Sequence, residues 1–340
     1  MRIDQRNAGA SVTPANFAYL TDRWQFRASQ GSKFTAEQTI SGVSAPVGFT
    51  DYLGMTSTSA YSVGSGEQFG VRQFIEGLNI SDLAWGTANA SPVTLSFWIR
   101  SSLTGTHSGA LGNSGDGRAY PFSFTVSSAN TWEYKTVTIA GDTSGTWLTT
   151  NGIGIKVSFN LGAGSSMLAA AGAWTTGEIV GATGSVSVVG TNGATFYITG
   201  VQLEIGTSAT PFERRLFNQE LANCQRYFEK SYAIGTVPAT VTEQGKSFGG
   251  SQTQGVSTTT GFLVGTSQFK VSKRATATVT LYDFAGNSGK VTADTIGVSS
   301  ANNQTAIVES ASENGFQATR SSGGTACNSI AWQYTASAEL

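Results

Sequence analysis

Residues 197–230 read YITGVQLEIGTSATPFERRLFNQELANCQRYFEK, and the change of rhythm inside them sets the architecture of the chain. Up to Ile205 apolar and polar residues alternate, the period of a strand with one buried face. The apolar parity switches from Phe196 and Ile198 to Val201, Leu203 and Ile205 across Thr199-Gly200. One extra residue at a glycine produces that switch, so a β-bulge is expected at Gly200; a strand covered on both faces is the competing explanation. Ala209-Thr210-Pro211 closes the strand. From Glu213 the rhythm is helical: Phe217, Leu221, Cys224 and Phe228 recur at spacings of four, three and four, a coiled-coil seam of about two heptads. Arg215, Glu220, Arg226 and Glu229 fall on its outer face. A helix this short is marginal alone in water, so it must pack on its own sheet or against copies of itself.

Upstream, period-two patterning dominates. Leu95, Phe97 and Ile99 alternate with Thr94, Ser96, Trp98 and Arg100. Ile153, Ile155, Val157, Phe159 and Leu161 form the cleanest alternation and predict a central core strand. Downstream, from Gly235, strand patterns return over 261–271, 276–283, 304–310 and 329–334, with turn residues at Gly286-Asn287-Ser288-Gly289 and Asn314-Gly315. The division expected is 1–212, a β-sandwich; 213–234, a linking and trimerising helix; and 235–340, a small C-terminal β domain.

Composition narrows the function classes. Only 12% of the 340 residues are charged, against about 25% in an ordinary soluble domain, and 42 are glycine. A net charge of -1 gives no general attraction to nucleic acid or an anionic membrane, and no apolar run reaches the roughly 20 residues of a membrane span. No basic start followed by an apolar stretch marks a signal peptide. Cys224 and Cys327 are widely separated, show no metal-ligand spacing, and read as buried thiols.

The stretch 197–230, the opening MRIDQRNAGASVTP with TDRW at 21–24, and the closing WQYTASAEL at 332–340 resemble bacteriophage tail-fibre and receptor-binding proteins. In that family a carbohydrate-binding-module-like sandwich hands over to a trimerising helix and a C-terminal tip. The resemblance implies a mostly β chain: a jelly-roll-like sandwich, a short linking α-helix and a small C-terminal β-sandwich, assembled as a homotrimer. It also implies a place on the virion, as a tail fibre or other surface fibre. The partners implied are a host cell-surface polysaccharide or lipopolysaccharide and other virion proteins of tail or capsid. Because the opening motif begins almost at Met1, little chain is left for docking, so either the anchor is missing or the sandwich itself attaches.

Enzyme chemistry lacks parts. The single histidine, His107, lies in SSLTGTHSGALGNSGDGR, which reads as loop or edge strand, and no GxSxG supports a Ser-His-acid relay. Scattered carboxylates leave a polysaccharide depolymerase open, since a glycosidase needs two held about 5 to 10 Å apart. Asn113 and Asp116 fall short of the six to eight oxygens calcium takes, so neither metal nor cofactor is expected. Binding is better supplied. Trp85, Trp147 and Trp174, set among Gly, Ser, Thr and Ala, can stack on sugar rings or plug a core. In the distal domain Tyr282, Asp283, Phe284 and Asn287 form a rival turn site. Phe217, Leu221, Cys224 and Phe228 are the expected trimer contacts. A structural virion protein, such as a capsid fibre or tail adaptor that reads no receptor, is the alternative function.

Overall fold

Strand-forming alternation is realised almost throughout. The computed structural model describes residues 1–251, 263–294, 301–320 and 329–340; Cys327 and part of the predicted 261–271 strand lie outside them. The chain divides into two units: Met1–Asp4 with Gly9–Arg214 and Leu340, and Gln5–Ala8 with Arg215–Glu339.

The first unit contains, in chain order, β1 (Trp24–Ala28), β2 (Phe34–Gln38), β3 (Leu53–Ser57), β4 (Gln68–Glu76), β5 (Val93–Ser101) and β6 (Gly105–Gly112). There follow β7 (Ala119–Val126), β8 (Glu133–Ile139), β9 (Ile153–Ala163), β10 (Leu168–Ala169), β11 (Gly181–Ala182) and β12 (Thr195–Ile205). Two five-stranded antiparallel sheets, β1-β4-β9-β6-β7 and β2-β3-β12-β5-β8, make the sandwich. β9 is central in the first sheet, as its alternation predicts. Its Phe159 meets Trp24, Phe97, Phe122 and Phe196 at ring separations of 6.1, 5.0, 6.0 and 6.4 Å, joining the two sheets. The bulge falls where expected: β12 slips register against β5 between Thr199 and Gln202, with Gly200 at φ +59°. A Cβ there would stand 2.6 Å from the Phe49 ring, so packing as well as backbone requires glycine.

His107 corrects the sequence expectation. It is neither loop nor edge, but lies on β6 between β9 and β7, fully buried. Glycine and serine around it suggest a turn, yet their small size lets β6 sit close to its neighbours: a Cβ at Gly109 would come 2.2 Å from the Ser158 carbonyl. The imidazole stacks on Phe124 at 5.9 Å, and Nε2–H donates to the Leu103 carbonyl at 3.0 Å. Nδ1 meets no partner, and burial lowers the imidazole pKa below its ordinary 6.5. The unfolded chain therefore binds the proton more readily. Stability from a neutral His107 is complete above about pH 6.5 and declines as the pH falls below it. With no second histidine, the unfolding free energy from urea titrations between pH 5 and 6.5 should drop by up to about 1.4 kcal/mol per pH unit. His107→Gln should flatten that slope; an unchanged slope would acquit this residue.

The second unit begins with α1 (Phe217–Gln225) and continues through β13 (Phe228–Lys230), β14 (Ser247–Ser251), β15 (Leu263–Gln268), β16 (Thr278–Tyr282) and β17 (Lys290–Asp294). β18 (Ala301–Thr305), β19 (Ile307–Glu309), β20 (Gly315–Arg320) and β21 (Ser329–Ser337) complete it. β21 organises the sheet. Its first half pairs with β14 and β17, its second with β13 and β16. A core of Leu263, Leu281, Val291, Phe316, Ile330 and Trp332 sits beneath.

The helix is shorter than the expected 213–234, running from Phe217 to Gln225. The Arg226 N–H closes the last turn on the Ala222 carbonyl and the Tyr227 N–H on that of Cys224, and residues 228–230 then pair with β21 as a strand. Phe228 therefore leaves the predicted seam and is buried under the Arg6 guanidinium, 3.7 Å away, within this unit. Cys224 is also buried inside the subunit. Glu229, expected on the solvated face, is completely enclosed.

Candidate functional site

The outer face of the first sheet carries the most ligand-like surface. Strand parity puts Phe26, Val71, Val157, Leu111 and Tyr120 in the core and turns their neighbours outward. In register across the sheet run Gln25, Arg72, Ser158 and Ala110, with Lys156, Gly112 and Ala119 in the next row. Ala110, Gly112 and Ala119 are too small to fill the space above them. A shallow depression results, walled by Arg72, Lys156, Asp116, Arg118 and residues 177–180.

Each wall residue is fixed differently. Lys156 Nζ meets Asp116 Oδ1 at 2.6 Å. The Arg118 guanidinium grips Asp142 through two bonds of 2.7 and 2.6 Å. Gln68 Nε2 donates to Glu178 Oε1 at 2.9 Å, and Arg27 stands 4.0 Å from the same oxygen. Arg72 donates its Nε–H to Gln25 Oε1 at 2.8 Å and lies by the rings of Phe74 and Phe17, at 4.8 and 5.7 Å. Burial, then the charge of Arg27, lowers its guanidinium pKa. Beside this wall Phe17 is 51% exposed at φ +67°, a conformation that is an outlier for a bulky side chain. Its ring also carries the Arg27 guanidinium at 4.5 Å.

The predicted tryptophans come together elsewhere and for another purpose. Trp85, Trp147 and Trp174 form one edge-to-face cluster with ring separations of 4.6, 5.3 and 5.4 Å. Their indole N–H groups donate to Ser91, Ser144 and Ala140 carbonyls. Trp85 and Trp147 are buried and offer no flat face to a ligand. Trp174 also packs on Tyr120 at 5.2 Å, and the adjoining Thr175 exchanges backbone bonds with Ala119. The cluster thus anchors the segment leading to the 177–180 wall.

The rival turn is likewise structural. The enclosed Asp283 carboxylate accepts the N–H groups of Ala285, Asn287 and Asn303 and the Asn287 amide. Phe284 is tucked inward and buried. Tyr282 ends β16 and packs on Tyr232 at 6.2 Å. The calcium candidates are also committed: Asn113 Oδ1 accepts from the Gly117 and Arg118 N–H groups, and Asp116 holds Lys156. No cluster of three metal-ligating side chains occurs among the described residues.

The second sheet's outer face is aromatic but partly roofed. Tyr52 is enclosed, its hydroxyl donating to the Ile40 and Val43 carbonyls, and burial pushes its pKa up to about 12. Trp132 Nε1 donates to Ser44 in the same roofing segment.

No family model matches the chain. No curated protein matches it either. Solved structures do. A putative sugar binding protein from Bacteroides thetaiotaomicron is similar at 12% identity over 60% of this chain and 99% of its own, with a TM-score of 0.34. A family 11 carbohydrate-binding module from Clostridium thermocellum, in complex with a mixed-linked tetrasaccharide, is 15% identical over 59% and 98%, with a TM-score of 0.30. The enzymatically active domain of bacteriophage CBA120 tailspike protein 4 is 12% identical over 57% of this chain, with a TM-score of 0.30. The chain spans only 21% of that tailspike chain. None of these likenesses assigns a ligand here.

Sequence reading missed Phe17, Gln25, Arg72, Arg118, Lys156 and Glu178. One signal was present: outward-facing Arg72 in the strand QFGVRQFIE, two strands from a β6 whose outward positions are small.

Proposed function

We propose that this chain is a non-catalytic glycan-binding protein of a bacteriophage virion, attaching the particle to a host cell-surface polysaccharide or lipopolysaccharide. The observation that carries the reading is the outer face of the first sheet, where polar side chains wall a shallow depression beside the exposed Phe17 ring, groups suited to hydroxyl recognition and stacking. Binding rather than hydrolysis is favoured because the depression's carboxylates are engaged, Asp116 by Lys156 and Glu178 by Gln68. One such site is weak. Covering roughly 100 Å² of apolar surface contributes about 2.5 kcal/mol before association costs.

A homotrimeric fibre completes the proposal, since linked copies raise avidity by about 10² to 10⁴. Leu216, 74% exposed, and Phe217, 40% exposed, are the apolar residues the helix start leaves at the surface of its unit. Sedimentation should give three times the 35.3 kDa chain mass, and Leu216→Glu should reduce it to one. The purified protein should adsorb to susceptible cells and block infection. An intact assembly that does neither would favour a structural virion role with other virion proteins as partners, and release of sugar from capsule would favour a depolymerase.

A further inference from the structure

Charge is unevenly matched around the depression. Arg118 has Asp142 at 2.6 Å, Lys156 has Asp116 at 2.6 Å, and Arg27 has Glu178 at 4.0 Å. Arg72 shares the wall with them, yet no carboxylate pairs with it among the described residues. Its one hydrogen bond uses Nε and the neutral Gln25. The terminal nitrogens of this half-buried cation make no protein hydrogen bond among the described residues and face solvent, at the rim of a depression lined by Ala110, Gly112 and Ser158. A planar fork of this kind matches a carboxylate through two parallel bonds.

Position narrows the ligand further. The Arg72 guanidinium lies 5.7 Å from the centroid of the exposed Phe17 ring. A pyranose stacked on that ring carries its exocyclic substituent at the edge of the sugar, and the substituent of a hexuronate or ulosonate is a carboxylate. Arg27 stands over the same ring at 4.5 Å, so a sugar stacks on the part of the ring that the two guanidiniums leave exposed, with Arg72 beside it.

We infer that the first-sheet depression is selective for acidic glycans, with Arg72 binding the carboxylate of a hexuronate or ulosonate residue and Phe17 stacking on its ring. This rests on the glycan-binding reading above and adds the ligand class. Phosphate or sulfate could satisfy the same fork, so the test separates them.

An array of matched oligosaccharides would be probed with the full chain, each pair being a hexuronate- or ulosonate-containing glycan and its carboxyl-reduced form. The hit pair would then be titrated calorimetrically, with inorganic phosphate and sulfate in parallel. The acidic member should bind about tenfold more tightly than its reduced form, the scale of one charge-assisted pair, and added salt should erase the difference. Arg72→Gln should weaken the acidic ligand about tenfold more than it weakens the reduced one, bringing the two to a common level. Arg72→Lys should fall between. Equal binding of both members by the wild-type chain overturns the inference, a comparison that needs no variant to fold. Tight phosphate or sulfate binding without sugar discrimination also overturns it. Preference for neutral glycans overturns the inference while sparing the glycan-binding function, and silence across the array overturns both.

Discussion

Replacing Glu229 by glutamine should unfold the second unit far more readily while leaving the first nearly untouched. Glu229 and Lys273 are both completely buried, with Nζ 2.6 Å from Oε2. The ammonium also donates to the Gln225 and Val271 carbonyls at 2.7 Å each. The other carboxylate oxygen accepts from the Tyr334 hydroxyl at 2.9 Å, and the Lys270 N–H reaches both oxygens. Burial pushes the Lys273 ammonium pKa down against the pull of Glu229, and burial with Glu229 pushes the Tyr334 phenol up. Removing one partner strands the other charge in a dry interior, at about 3–5 kcal/mol, whereas removing both can be close to neutral. Glu229→Gln and Lys273→Met should each lower one calorimetric transition by more than about 10 °C, taking several degrees per kcal/mol. The double variant should recover a large part of the loss. Single variants within about 1 kcal/mol of wild type would show that the pair is not an obligate unit.

That enclosed pair marks where the sequence stops being legible. The strands were readable because one residue in two is apolar across 153–161 and 93–99, and because a parity switch at glycine has one economical cause. The helix end was not. Phe217, Leu221, Cys224 and Phe228 keep helical spacing beyond Gln225, but pairing of residues 228–230 with β21, over a hundred positions later, takes Phe228 into a strand. Tertiary pairing overrides local pattern there. A charged residue in such a strand, buried on both faces, reads as solvated until its partner Lys273 is seen. The tryptophans failed differently. Glycine-rich surroundings suggest exposure, yet in a sandwich they let loops fold tightly enough for three indoles to meet. The residues of the depression come from five separate segments of the chain, so no local spacing could assemble them.

The second large effect is expected at Asp142, which ties the tryptophan cluster to the wall of the depression. Its buried carboxylate accepts two bonds from Arg118, one from the Trp147 indole at 3.3 Å and one from the Ser144 N–H at 3.2 Å. Its backbone carbonyl accepts from Gly86 at 2.7 Å, close to Trp85. Asp142→Ala removes the acceptor and leaves a guanidinium whose side chain keeps 19% of its exposure, so solvent recovers part of the cost. A loss of about 2–4 kcal/mol follows, below that of a fully enclosed pair. Arg118→Met should cost a similar amount, about 2–4 kcal/mol, because it strands a carboxylate with only 2% exposure that keeps just the Trp147 and Ser144 N–H groups. The optical signature should be specific. With Asp142 gone, Trp147 loses its charged acceptor and Trp174 loses the guanidinium standing 5.8 Å from its ring, so tryptophan emission should shift to the red before global unfolding. The wall at 177–180, anchored through Trp174 and Thr175, should loosen with it, weakening any ligand of the depression even though Asp142 does not line it. Unchanged emission in Asp142→Ala, with ligand binding intact, would separate the cluster from the site.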